Sequence, residues 1–284
     1  MLAQGGPAKM CQCGTGPAHG ILSLPLYKAG SPANLSDTMN VDPRFAPAAG
    51  RQRVFNLPPV LVAVIATLFG VQVLRDYVLG PAAAVEFLVA FAFIPVRVME
   101  SGLGLPGGEG ARLWTFATYA LLHADWAHLI FNTLWLAAFG AAVAWRFGAW
   151  RFLGFSAVGA ITGAALHLGL YPGSVVPLVG ASAAISAHMA AAARFAFSSP
   201  GPAMGFQGGG PAAYRRPAPP LSMALRDRRV LTFLGVWFAT NLLFGLFGGG
   251  SVASGAIAWE AHIGGFLAGL LFFPVFDPVR RPGR

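Results

Sequence analysis

The sequence predicts an all-α polytopic membrane protein, a bundle of six transmembrane helices. Composition is the first observation: of 284 residues, 56% are apolar and only 10% charged, where soluble domains carry roughly a quarter charged residues. Pattern is the second. Six mostly uncharged runs, at roughly 58–78, 126–145, 150–170, 178–197, 229–248 and 257–276, are each long enough to cross a hydrocarbon core about 30 Å thick as a helix, a form that satisfies its own backbone in lipid. The third is the placement of charge. If all six runs cross, sixteen of the nineteen Lys and Arg residues fall on one side. Cytoplasmic loops carry such an excess, so both termini are expected in the cytoplasm, at a cell membrane of the bacterial inner-membrane type.

In chain order, residues 1–56 are rich in Gly, Pro, Ala and Ser without apolar periodicity, and lack the charged-then-apolar order of a secretory signal peptide. They read as a disordered cytoplasmic tail. Met39 stands shortly before Pro43 and the first run, so translation is open to starting at Met1 or at Met39. The membrane domain spans 57–278, and 279–284 form a short cytoplasmic tail. Within the domain, segment 82–98 is apolar but carries Glu86 and is interrupted by Pro95. Were it to cross, the tail's basic residues would oppose the others, so it is expected to lie in or near the outer interface. Segment 198–227, with its Gly-Pro clusters and arginines, reads as a cytoplasmic connection.

The net charge of +9 follows the membrane topology, and no nucleic-acid partner is expected. Cys11 and Cys13 both lie in the leading tail, so no disulfide framework holds the apolar part together. With only His19 nearby they fall short of the four ligands of a structural metal site. No metal, nucleotide or redox cofactor is expected.

With an inner amino terminus, runs two, four and six start at the outer face. His128 and Asn132, Ser182 and His262 then lie at most about 10 Å below that face, on three helices at one level. Polar groups within spans are costly and mark function. Amide hydrolysis needs a nucleophile, a base that returns its proton to the leaving amine, and donors for the oxyanion. Ser182, His262, and His128 with Asn132 fit these roles in that order. The i, i+4 spacing of His128 and Asn132 puts both on one helix face, as an interhelical hydrogen-bond pair would also require. Glu260 stands about 200° around the helix from His262 and completes no triad, so a dyad is expected, its imidazole oriented by packing or an aromatic neighbour. Gly180, Ala181, Ala183, Ala184 and Ala187 around the serine, and Gly264, Gly265, Ala268 and Gly269 after the histidine, would let these helices approach closely.

From about Arg112 to Phe276 the chain resembles the rhomboid intramembrane serine proteases. HADWAHLIFNTLWLAAFG, from His123, is similar to the family's second span with its His-x-x-x-Asn oxyanion pair at His128 and Asn132. GASAAISAH, from Gly180, resembles the Gly-x-Ser-Gly nucleophile motif and puts the serine at Ser182; AHIGGFLAG, from Ala261, resembles the sixth-span motif whose base is His262. The resemblance implies a serine endopeptidase without cofactor. Its substrates would be transmembrane segments of other membrane proteins, cut near their outer ends after entering past run five. The alternative it leaves is a relative that holds membrane clients without cutting them; such relatives usually lack the Ser or the His, and both are kept here. The chain departs from the pattern twice: Ala183 replaces the glycine after the nucleophile, and the acidic residue expected before Arg146 is Ala144 or Trp145.

Overall fold

The computed structural model describes residues 57–195, 214–247 and 258–279. Expectations for the leading tail and most of the 198–227 connection fall outside these residues. Helix α1 (Pro59–Val73) starts with proline in its first turn, where the missing N–H costs no hydrogen bond, and runs on through a π-turn, Leu74–Val78. Two short helices follow, α2 (Pro81–Phe91) and α3 (Pro95–Met99), and then α4 (Ala111–Thr118) with a 3₁₀ turn at Tyr119–Leu121. Helix α5 (Trp126–Trp135) is capped by Asp125 Oδ1, which accepts from His128 N at 2.8 Å. It continues through a π-turn, Leu136–Gly140, into α6 (Ala141–Phe147). The remaining elements are α7 (Ala149–Leu170), α8 (Ser182–Phe195), the single turn α9 (Leu221–Ala224), α10 (Arg228–Phe247) and α11 (Trp259–Phe276).

Among the described residues, four helices are long and apolar enough to cross a membrane: Pro59–Val78, Trp126–Phe147, Ala149–Leu170 and Trp259–Phe276. They correspond to expected runs one, two, three and six. Run four is shorter as a helix than its apolar stretch, because residues 178–181 are not helical; run five forms the 20-residue helix α10, with residue 248 outside the described residues. Segment 82–98 breaks into α2 and α3. At 11 residues α2 is about 16 Å long, too short to cross.

The centre of the bundle is α8, buried at every residue from Ala183 to Phe195. Its packing follows from glycines at matched heights. A Cβ on Gly163 or Gly159 of α7 would come within 2.5 Å and 2.7 Å of the Ala183 and Ala187 methyls, while one on Gly265 or Gly269 of α11 would run into the carbonyl oxygens of the same two alanines. The pairs run in opposite order along α7 and in the same order along α11, so α8 is antiparallel to the first and parallel to the second. In lipid such helices are held by close van der Waals contact and not by expulsion of water, and the missing side chains permit that contact.

At the far end of α11, Asp277 accepts from Arg146 Nε at 2.9 Å and Nη2 at 2.8 Å. Arg146 Nη1 also donates to the carbonyls of Arg216, at 2.8 Å, and Tyr214. The carboxylate absent beside Arg146 in sequence is thus supplied from 131 residues away. At the start of α10, Asp227 Oδ1 accepts from Arg229 N at 2.8 Å, and the adjoining Arg229 guanidinium helps hold this carboxyl below its usual range.

Candidate active site

Ser182 is the first residue of α8, not four residues into a helix as the apolar run implied. The chain reaches it in extended form. Phe93 and Leu178 exchange two backbone hydrogen bonds (2.7 and 3.2 Å), and Gly180 N donates to Tyr119 O at 3.0 Å. Gly180 then adopts φ +118°, a region that strongly favours glycine. A Cβ there would stand 2.9 Å from His128 Nε2 and 3.7 Å from Ser182 Oγ. The absent side chain therefore leaves space bounded by the serine hydroxyl on one side and the His128 ring on the other.

His262 lies in the first turn of α11, and its Nε2 is 2.8 Å from Ser182 Oγ. Its other ring nitrogen, Nδ1, is 2.6 Å from Oδ1 of Asn241 on α10. Sequence reading had missed Asn241 and looked to packing or an aromatic neighbour to orient the imidazole. The signal was present, since an asparagine within an apolar run is costly there, but only the fold shows which of its neighbours it meets. Glu260 turns away from His262 as its helix position requires; its Oε1 lies 2.5 Å from Nδ1 of His167 on α7.

His128 is held from three sides. Its backbone N–H goes to the Asp125 cap, its Nδ1 accepts from Ala124 N at 3.4 Å, and its ring meets the buried His123 ring edge-on at 5.1 Å. With Nδ1 accepting, the neutral ring carries its proton on Nε2, the nitrogen facing the space over Gly180. Asn132, one turn along α5 and buried, donates from Nδ2 to His128 O at 2.9 Å. That bond lies within its own helix and leaves one amide N–H for another acceptor. Arg75 reaches from the end of the first helix to the carbonyls of His123 and of Ala124 (3.2 Å for the latter), fixing the loop that precedes α5.

Two other serines are engaged elsewhere. Ser186 Oγ donates to Ser182 O at 2.8 Å, along its own helix. Ser156 Oγ donates to Phe152 O at 2.7 Å and lies 2.9 Å from Nε2 of His188, a fully buried ring stacked on Phe152 at 4.8 Å. This second Ser–His pair thus has its hydroxyl proton already committed to a backbone carbonyl. Among the described residues, no group of three or more His, Cys, Asp or Glu is arranged to hold a metal.

A nucleophile hydroxyl, an imidazole nitrogen in hydrogen-bond contact with it and a ring N–H beside an open space make a constellation suited to acyl transfer. No curated protein matches the chain. A family model, the Rhomboid domain, matches residues 110–277, a stretch that contains all of these groups.

Proposed function

The chain belongs to the rhomboid family, and from that premise we propose that it is an intramembrane serine endopeptidase acting on transmembrane segments of other membrane proteins. The observation that carries the proposal is the 2.8 Å contact between Ser182 Oγ and His262 Nε2, within the reach a general base needs. Ser182 Oγ attacks the scissile carbonyl while His262 takes its proton. The carbonyl oxygen, now an oxyanion, lies over Gly180 and accepts from His128 Nε2–H, with the free N–H of Asn132 and the Ser182 backbone N–H as further donors. His262 returns the proton to the departing amine. Water then enters, loses a proton to the same imidazole and releases the acyl chain from Ser182. A helix buries its carbonyls in hydrogen bonds, so the substrate must unwind to be attacked; entry beside α10 would deliver it to Ser182.

The protein is a multi-pass membrane protein. In the proposed topology α8 and α10 cross as well, giving six crossings with both termini in the cytoplasm of a bacterial-type inner membrane. Ser101 and Ser222 are exposed and lie on opposite sides in this arrangement. Replaced singly by cysteine in a chain without Cys11 and Cys13, they should react with an impermeant maleimide from opposite faces; reaction from one face sinks the six-crossing topology.

A fluorophosphonate probe on the purified protein tests the enzymatic reading. Wild type should be labelled covalently and Ser182→Ala should not, which also separates Ser182 from Ser156 and Ser186. An unlabelled wild type that still retains membrane clients would make the chain a binding scaffold.

A further inference from the structure

Helix α10 carries a buried stripe of Val230, Trp237 and Asn241, while Leu231, Val236, Leu242 and Leu243 on its other sides are exposed. Within the stripe, Trp237 stacks on Phe266 of α11 with ring centroids 4.3 Å apart. Asn241, one turn further along, is the stripe's polar member. Its Nδ2 donates to the Trp237 carbonyl at 2.8 Å. A carbonyl only accepts, so this bond decides which way the amide points and leaves Oδ1 facing His262 Nδ1 at 2.6 Å. Oδ1 in turn only accepts, so Nδ1 must carry the hydrogen. A neutral imidazole protonated at Nδ1 has its lone pair on Nε2, the nitrogen 2.8 Å from Ser182 Oγ.

We infer that Asn241 is the positioning residue of the base: it selects the tautomer of His262 that accepts the Ser182 proton and fixes the plane of its ring. Because Asn241 stands on α10 while His262 stands on α11, the base is set only while these two helices lie together. An amide suits the place better than a carboxylate, since it orients the ring without adding a buried charge. The inference rests on the protease reading for its effect on rate, but its effect on the tautomer is independent of it.

The test compares full-length wild type with Asn241→Leu and Asn241→Asp. Leucine keeps the volume and removes the acceptor. Its kcat should fall about 10- to 100-fold with KM within about twofold, a part of the roughly 100- to 10,000-fold that general acid–base catalysis contributes. Aspartate keeps an acceptor and should hold kcat within about tenfold of wild type. Its negative charge favours imidazolium, so the acidic limb of kcat/KM should move to higher pH. In ¹⁵N-histidine-labelled protein, with the signal assigned through His262→Gln, wild-type His262 should show the Nδ1–H tautomer and Asn241→Leu a mixture. A single unchanged tautomer in Asn241→Leu, with wild-type kcat, overturns the inference. So does a loss of activity in both variants that follows melting temperature and leaves the tautomer and pH profile unmoved. If wild type neither cleaves nor takes up the fluorophosphonate, the protease reading fails, and the ¹⁵N spectra alone still decide the role of Asn241.

Discussion

The two ends of α11 are fixed by different chemistry. At the site end, His262 makes one hydrogen bond to Ser182 and one to Asn241, at 2.8 and 2.6 Å. At the far end, Asp277 takes two hydrogen bonds from Arg146, whose guanidinium also lies 4.8 Å from the Phe195 ring centroid and 5.6 Å from that of Phe273. Neutral hydrogen bonds contribute about 0.5–1.5 kcal/mol each, whereas breaking a buried ion pair costs about 3–5 kcal/mol. The helix is therefore anchored by charge at Asp277, while His262 itself is held by neutral partners, with Glu260 beside it tying the site end to His167 of α7. A base that must accept and return a proton is served by neutral partners that can follow the change; a frame is served by charges that cannot be separated cheaply.

The comparison breaks most directly at the anchor. Arg146→Ala leaves Asp277 buried without its partner and should cost about 3–5 kcal/mol in detergent unfolding, with kcat close to wild type wherever the protein remains folded. Replacing both, as Arg146→Met with Asp277→Leu, should recover most of the loss. A fall in kcat as large for Arg146→Ala as for a site variant would show that the ends do not act separately.

The converse prediction is at the site. Asn132→Ala removes a proposed oxyanion donor and should slow turnover about 100- to 1000-fold, with little change in KM or melting temperature. A rise in KM alone would give Asn132 a packing role. Smaller again is the effect expected at Glu260, which joins the site end of α11 to α7 through His167. Glu260→Gln keeps a neutral hydrogen bond there and should cost about 1 kcal/mol in stability, with kcat within tenfold. A larger loss of kcat than of stability would make this pair part of how the base is held.

The smallest effect is expected at Ala183. Its methyl faces Gly163 of α7, and it is the Ala183 backbone that meets Gly265 of α11. The added carbon is thus accommodated away from the contact that sets the Ser182–His262 distance. Ala183→Gly removes a buried methyl from the first turn of α8; it should lower stability by about 1 kcal/mol and leave the rate within a few-fold. A gain of tenfold or more would show that the methyl restrains catalysis.

These cases show what could be read from sequence. Apolar runs and small-residue spacing depend on local pattern, so four long apolar helices and the close contacts of α8 were legible. Ser182, His262 and His128 stood out because polar groups within apolar runs are costly. What escaped was set by distant neighbours: Asn241 beside His262 from 21 residues upstream, Asp277 closing on Arg146, and the extended residues 178–181 that move Ser182 to a helix start. In that last stretch the pairing of Leu178 with Phe93 and the turn at Gly180 override an apolar run that by itself favours helix.

The central claim is that Ser182 and His262 act as one unit, and cleavage of a single-span model substrate by Ser182→Ala, His262→Ala and the double variant measures it directly. Groups that serve one step are not additive, so each single replacement should cost nearly as much as both together. Substantial cleavage by Ser182→Ala, or a double variant slower than either single by the product of their separate losses, would contradict it.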